Sequence, residues 1–82
     1  MEMMVKDAVV ERFLSICKSR GMKPNELAVI SGVTPSTVYS MLDPKRRKLQ
    51  IDTIKILCDG LDMTLAEFFD SPEFDLLEQE IR

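Results

Sequence analysis

Apolar residues recur at helical spacing along most of the chain, and no segment alternates apolar and polar residues as a strand does. The pattern predicts a first helix over residues 7–20, which Gly21 ends. Val10 and Leu14 lie beside the main apolar stripe, so more than one face of this helix is available for packing. The stripe has the i, i+4, i+7, i+8 spacing of an amphipathic helix and consists of Val9, Phe13, Ile16 and Cys17.

Glycine and proline divide the next stretch into two short helices. The first covers residues 24–31, with Pro24 at the favoured first helical position and Gly32 as its stop. Thr34 is the expected N-cap of the second, and Pro44 disfavours helical dihedrals at the residue before it, so this helix ends at residue 42 or 43. The side chains expected to pack inward are Leu27, Ala28 and Ile30 in one helix, and Val38, Met41 and Leu42 in the other.

Three more helical segments are predicted in the second half of the chain. Residues 50–61 are expected to form a largely buried helix, because Ile51, Ile54, Leu57, Cys58 and Leu61 share one face. A capping box from Thr64 to Glu67 starts a fifth, short helix that carries Phe68 and Phe69. A cap and proline at residues 71–72 start a C-terminal helix over 72–82. We therefore expect one domain over 1–82, with its core in 7–70.

Composition excludes several classes of protein. The chain has 82 residues, two cysteines and no histidine, and the cysteines form no CxxC pattern, so we expect no metal, no cofactor and no disulfide framework. No apolar stretch approaches the roughly 18 residues that span a bilayer, and the N-terminus lacks a signal-peptide pattern, so a cytoplasmic protein without membrane contact is expected. Enzymatic activity is not expected, because no nucleophile with a recognisable base and no glycine-rich phosphate loop is present.

Charge is unevenly distributed along the chain. Residues 18–55 hold eight basic and three acidic residues, a net charge of +5, while the remaining residues carry −8 and the whole chain −3. A local basic region beside acidic flanks is compatible with nucleic-acid binding despite the negative total. The densest basic run is Lys45, Arg46, Arg47 and Lys48.

Residues 24–42 have the pattern of a helix-turn-helix. Two short helices are joined through Gly32 and Val33, and glycine allows the sharp reversal that closely packed helices need. Ala28 is small enough for the second helix to approach the first. With a helix before the pair and two after it, residues 9–69 resemble the DNA-binding domain of phage Cro and repressor proteins, the XRE-type family. The resemblance is carried by "GMKPNELAVISGVTPSTVYSML" and "IDTIKILCDGLDMTLAEFF".

The resemblance implies an all-α, five-helix lambda-repressor-like fold, here with an added short C-terminal helix, that binds an operator in double-stranded DNA, commonly as a symmetric dimer. The second helix of the pair would enter the major groove. Carried over position by position, the base-facing residues would be Pro35, Ser36, Tyr39 and Ser40. The phosphate contacts would be Lys23, Thr34, Thr37, Lys45, Arg46, Arg47 and Lys48.

The chain departs from the family pattern at three places. Pro35 and Ser36 replace the glutamines that often read adenine, so direct readout is reduced. Cys17 and Leu42 replace an arginine and glutamate pair with an apolar contact, which is compatible with the fold. Pro44 stands where a glycine commonly ends the recognition helix.

Two questions stay open at this point. A homodimer would use either Phe74, Leu77 and Ile81 of the C-terminal segment or Val10 and Leu14 of the first helix; alternatively, the C-terminal residues fold back onto that helix. Tyr39 either lies partly buried or reaches the DNA.

The alternative to a DNA-binding regulator is a protein-interaction module that keeps the fold without specific DNA binding. The acidic flanks and the small number of base-reading side chains would suit such a module.

Overall fold

The computed structural model describes residues 3–80 and has five α-helices followed by one 3-10 helix. They are α1 (Val5–Ser19), α2 (Pro24–Ser31), α3 (Pro35–Leu42), α4 (Ile51–Gly60), α5 (Leu65–Phe69) and the 3-10 helix Pro72–Leu76. The predicted all-α fold is confirmed, and residues 3–80 contain no strand. No helix among these residues is long and apolar enough to cross a membrane.

The predicted start and stop signals of α2, α3 and α5 act where the sequence places them, whereas Ser71 makes no side-chain cap hydrogen bond before the last segment. Gly32 is the C-cap of α2 in the left-handed region, at φ 71°, and its amide donates to Val29 O. Thr34 caps α3, and Asp43 before Pro44 is extended, so α3 ends at Leu42. At α5 the capping box is complete: the Thr64 amide donates to Glu67 Oε1 at 2.8 Å, and the Glu67 amide donates to Thr64 Oγ1 at 3.0 Å.

One apolar core joins α1 to the helix-turn-helix and to α4 and α5. Its largest fully buried side chains include Phe13 of α1 and Phe68 of α5, whose ring centroids lie 4.4 Å apart. Val33 packs against the core from the turn. Two packing predictions are wrong. Ile51 is 60% exposed because it is the first residue of α4, where the helix extends beyond the core, and Ile30 lies on the outer face of α2 and is 48% exposed.

Helix α1 and its C-cap residue Arg20 also hold the C-terminal ends of three other helices through hydrogen bonds. Lys6 is buried, and its Nζ donates to Met41 O at the end of α3. Arg12 donates to Phe68 O at 2.7 Å and to Glu67 O at the end of α5, and Arg20 donates to Leu61 O, just after α4, at 2.7 Å. These carbonyls lack a partner within their own helices and lie at the negative end of each helix dipole, so cations suit them.

The C-terminal helix predicted over 72–82 is wrong in extent and type. It is a 3-10 helix over Pro72–Leu76, and Leu77 is already extended. Beyond it the chain bonds to the N-terminal segment rather than to itself: the Glu78 amide donates to Met3 O at 2.9 Å, and the Val5 amide donates to Glu80 Oε2.

Phe74, the aromatic residue of this segment, packs against other aromatic rings of the same chain. Phe74 lies 4.9 Å from Phe69 and 5.9 Å from Phe68, centroid to centroid, and the 3-10 helix packs on α1. Of the open alternatives, Phe74 therefore folds back onto the domain. Leu77 is half-buried, and Ile81 lies outside the described residues.

Candidate nucleic-acid interface

Helix α3 turns its apolar side inward and a small polar surface outward. Val38 is fully buried and Met41 is 8% exposed, which anchors the helix on the core. Pro35 and Ser36 are exposed, and Ser40 is half-buried. Tyr39 is half-exposed at 50% and lies on the same outward side as the serines. The residues predicted to face the bases therefore share the solvent-facing side of one two-turn helix.

Hydroxyl groups cluster at the N-terminus of α3. Thr34 Oγ1 accepts the Thr37 amide at 3.4 Å and lies 3.0 Å from both Ser36 Oγ and Thr37 Oγ1. The N-terminal end of a helix carries partial positive charge and unpaired amides, which favour an anion. Because Thr34 Oγ1 already caps the helix, its hydroxyl is part of the local network as well as a candidate phosphate contact.

An open cleft of about 350 Å³ brings together α3, the predicted recognition helix, the basic loop of residues 45–48, and the start of α4. Five residues of the predicted site line it: Ser36, Thr37 and Ser40 from α3, and Arg46 and Lys48 from the basic loop. The other residues of the predicted site lie outside this cleft: Lys23, Thr34, Pro35, Tyr39, Lys45 and Arg47.

Gln50 and Thr53 also line the cleft, and neither is among the site residues predicted from the sequence. Gln50 occupies the N-cap position of α4, and Thr53 lies in the first turn of that helix. The signal in the sequence was the polar residue two positions after the basic run, at the start of a predicted helix. Both side chains can donate and accept hydrogen bonds, so they extend the polar lining that Ser36 and Ser40 begin.

Asp43 shapes the basic loop that follows α3. Its Oδ1 accepts the Lys45 amide at 2.9 Å, which is a tight turn closed by an aspartate side chain. Its Oδ2 lies 3.9 Å from Arg46 Nε, and the Arg46 side chain is 67% exposed. A pair this exposed and this long holds the guanidinium weakly, so Arg46 can turn to another anion.

Arg47 is held differently from its neighbours. Its guanidinium donates to Asp7 Oδ2 of α1 at 2.9 Å and to Pro44 O at 3.0 Å. The same hydrogen bond lowers the pKa of Asp7 below its ordinary value and raises the pKa of Arg47. Of the four basic residues in the loop, Arg47 is therefore the one that an intramolecular carboxylate already engages through a short contact.

Lys23 occupies the N-cap position of α2, where its amide donates to Glu26 Oε1 at 3.0 Å. Its side chain is exposed and belongs to a different part of the helix-turn-helix from the cleft. The structure thus places Lys23 at the start of the supporting helix, as the sequence predicts.

The two cysteines are separate from this surface. Cys17 and Cys58 are free and buried in the core. Burial raises the pKa of both thiols, that of Cys58 to about 11, so the thiol and not the reactive thiolate dominates at neutral pH. Among residues 3–80, no group of three or more His, Cys, Asp or Glu side chains is placed to hold a metal ion.

Comparison with known proteins agrees with this geometry. A solved structure described as the crystal structure of the prophage Lp1 protein 11 is 26% identical, with a TM-score of 0.76, and the match covers 88% of this chain and 93% of that one. No curated protein sequence matches this chain. A family model, Cro/C1-type HTH DNA-binding domain, matches residues 12–73. This range includes the turn at Gly32, the recognition helix and the basic loop, and the chain belongs to the Cro/C1-type helix-turn-helix family of DNA-binding domains.

Proposed function

We propose that this protein is a sequence-specific double-stranded DNA-binding transcriptional regulator of the phage or prokaryotic repressor type. The observation that carries the proposal is the cleft in which Ser36 and Ser40 of α3 lie beside Arg46 and Lys48 of the basic loop. Recognition by a helix in the major groove uses groups of two kinds, hydroxyl groups that can bond to base edges and cations that can bind phosphates, and this cleft has both.

The contacts divide into two kinds. Arg46, Lys48, Lys45 and Lys23 would bind phosphates and supply salt-dependent affinity for any duplex. Ser36, Tyr39, Ser40 and Pro35 would meet the base edges, with Gln50 as an added candidate from α4. Thr34 and Thr37 would meet a phosphate through their hydroxyl groups at the N-terminus of α3, where the helix dipole favours an anion.

Serine hydroxyls bond to several bases, so they discriminate less than arginine or glutamine does. Much of the selection would therefore come from the shape and deformability of the DNA between the phosphate contacts.

We also propose that two copies bind a palindromic operator and that regulation follows from occupying it. Phe74 is committed to packing inside the chain. Of the candidate dimer surfaces, Leu14 on α1 remains accessible, at 45% exposed, whereas Val10 is half-buried. Leu14→Ser would then shift the mass measured by light scattering from dimer to monomer and leave the helical circular dichroism unchanged.

Fluorescence anisotropy with duplex DNA at low and moderate salt tests the proposal. Arg46→Ala and Lys48→Ala should weaken binding to all duplexes and flatten the dependence on salt by about one ion each. Ser36→Ala and Ser40→Ala should change the preference among duplexes and leave the salt dependence intact. Lys55→Ala is a matched control, because Lys55 is an exposed cation on α4 that pairs with Asp59 outside the cleft. A folded protein that binds no duplex at either salt concentration would refute the function.

A further inference from the structure

The first turn of α1 faces the end of the recognition helix. Lys6 is only 3% exposed, although lysine is normally a surface residue. A buried ammonium is costly unless it is paired, and burial lowers the pKa of Lys6. Its partner is Met41 O, to which its Nζ donates.

Met41 O is one of the carbonyls that an eight-residue helix leaves without an internal partner, and it lies at the negative end of the helix dipole. Lys6 therefore supplies a charged cap to α3 from another helix. This cap is separate from the apolar packing of Val38 and Met41, which holds the inner face of α3 on the core.

The same turn of α1 holds the loop that follows α3. Asp7 Oδ2 accepts the Arg47 guanidinium at 2.9 Å and also the Met4 amide at 3.0 Å, so one carboxylate joins the N-terminus of α1 to the basic loop. Arg47 in turn donates to Pro44 O, directly after the helix. Two consecutive residues of α1, Lys6 and Asp7, thus contact the recognition helix and the loop after it at two points, Met41 O and the Arg47 guanidinium.

The opposite end of α3 is defined by local signals, the Thr34 cap and the Gly32 turn. The C-terminal end of α3 has no comparable local cap. Asp43 is extended there, and the Asp43 amide donates only to Ser40 O at 3.3 Å. The depth and rotation at which α3 presents Ser40 therefore depend on what holds Met41 and Leu42 from outside the helix.

We propose that Lys6 is a positioning residue for DNA recognition: by capping Met41 it sets the orientation of the recognition helix without touching DNA itself. This inference rests on the function proposed above. Because Lys6 is buried, it adds no phosphate contact, and its effect falls on the preference among sequences rather than on affinity for any duplex.

The test compares Lys6→Met with Arg12→Met in the full chain. Arg12 is the matched control: it also loses a charge and hydrogen bonds to a helix end, but that helix is α5. Binding is measured by anisotropy on a duplex that the wild-type protein prefers and on a scrambled duplex, at several salt concentrations.

Lys6→Met should reduce the ratio of the two affinities about tenfold, comparable to losing one good base contact, with the salt dependence unchanged. Arg12→Met should leave the ratio unchanged. An unchanged ratio for folded Lys6→Met, or a salt dependence lowered by one ion with the ratio intact, would overturn the proposal. A wild-type protein with no preferred duplex would instead refute the proposed function.

Nuclear magnetic resonance tests the positioning without DNA. In the wild-type protein the Lys6 ammonium should give a slowly exchanging Nζ–H signal, unlike exposed Lys18. In Lys6→Met the amide shifts should change over residues 40–48 and remain in place in α5. Rapid exchange of the Lys6 ammonium would overturn the proposal even if the variant failed to fold.

Discussion

Gly60 at the end of α4 should not tolerate even a methyl group. A Cβ at this position would lie 2.2 Å from Ser31 Oγ, 2.9 Å from Ser31 Cα and 3.0 Å from Ser31 Cβ. The hydroxyl can rotate away, but the Cα is backbone, so α2 and α4 would have to move apart. Ser31 is the last residue of α2, so this crossing supports the helix-turn-helix directly before its turn.

The expected cost of Gly60→Ala follows from two opposing effects. Forcing an extra carbon into a packed contact costs about 1–3 kcal/mol. The higher helix propensity of alanine returns up to about 1 kcal/mol. We therefore expect the free energy of unfolding to fall by about 1–2 kcal/mol, and each kcal/mol lowers the Tm of a domain this size by roughly 4–8 °C.

Urea unfolding followed by circular dichroism measures this change, and a double-mutant cycle assigns it to the contact. Ser31→Ala removes the closest atom, and Ser31 Oγ is buried with no hydrogen-bond partner among residues 3–80, so this change alone should be neutral or stabilising. It should recover part of the loss caused by Gly60→Ala. Gly21→Ala is the control, because a Cβ at Gly21, which has φ 63°, meets no described atom within 4 Å. The effects of Ser31→Ala and Gly21→Ala on the free energy of unfolding should therefore be additive. A Gly60→Ala protein as stable as the wild type would refute the reasoning.

Three further predictions concern charge and the thiols. Asp7→Asn should release Arg47 for a phosphate contact, so binding to every duplex should become stronger and depend more steeply on salt. An unchanged salt dependence would contradict the view that Asp7 holds Arg47 back from DNA. A hydrogen bond from the Thr64 amide at the start of α5 lowers the pKa of Glu67 in the folded protein. The ionised Glu67 therefore stabilises the fold above its unfolded pKa, and this stabilisation is lost as the pH falls through the folded pKa. Glu67→Gln should therefore show a shallower fall in Tm between about pH 5 and 3 than the wild type. Cys17 and Cys58 should react with a thiol reagent at pH 8 only when the protein unfolds, and fast labelling of folded protein would be inconsistent with their burial.

Local signals carried most of the prediction of the fold. Gly32, Thr34 and Pro44 act on the backbone of their immediate neighbours, so the sequence shows where α2 ends and where α3 begins and ends. The buried stripe of α1 was equally readable, because periodicity reports one face of a helix.

Long-range contacts were not readable in the same way. Lys6 lies just before the predicted start of α1, and nothing near it in sequence indicates that it reaches Met41, 35 residues away. The C-terminal segment has helical spacing, yet Phe74 packs on the aromatic rings of α5 and Glu78 bonds to Met3, and these contacts draw the chain out of a regular α-helix. Tertiary contacts override local periodicity where a segment is short.

The candidate site was predicted as a set of positions rather than as a surface. The outward side of α3 follows from the inward side, so Ser36 and Ser40 were readable. The engagement of Arg47 by Asp7 and the approach of Gln50 to the recognition helix depend on how three elements meet, and sequence spacing does not contain that information.

Selection of bound duplexes from a random library tests the central claim most directly. We expect enrichment of one palindromic motif whose half-sites are centred about one helical turn apart, as two copies of α3 on one face of the DNA require. Ser40→Ala should alter the enriched motif. A pool that stays random after repeated rounds, although folded protein retains DNA in each, would contradict sequence-specific recognition by this helix.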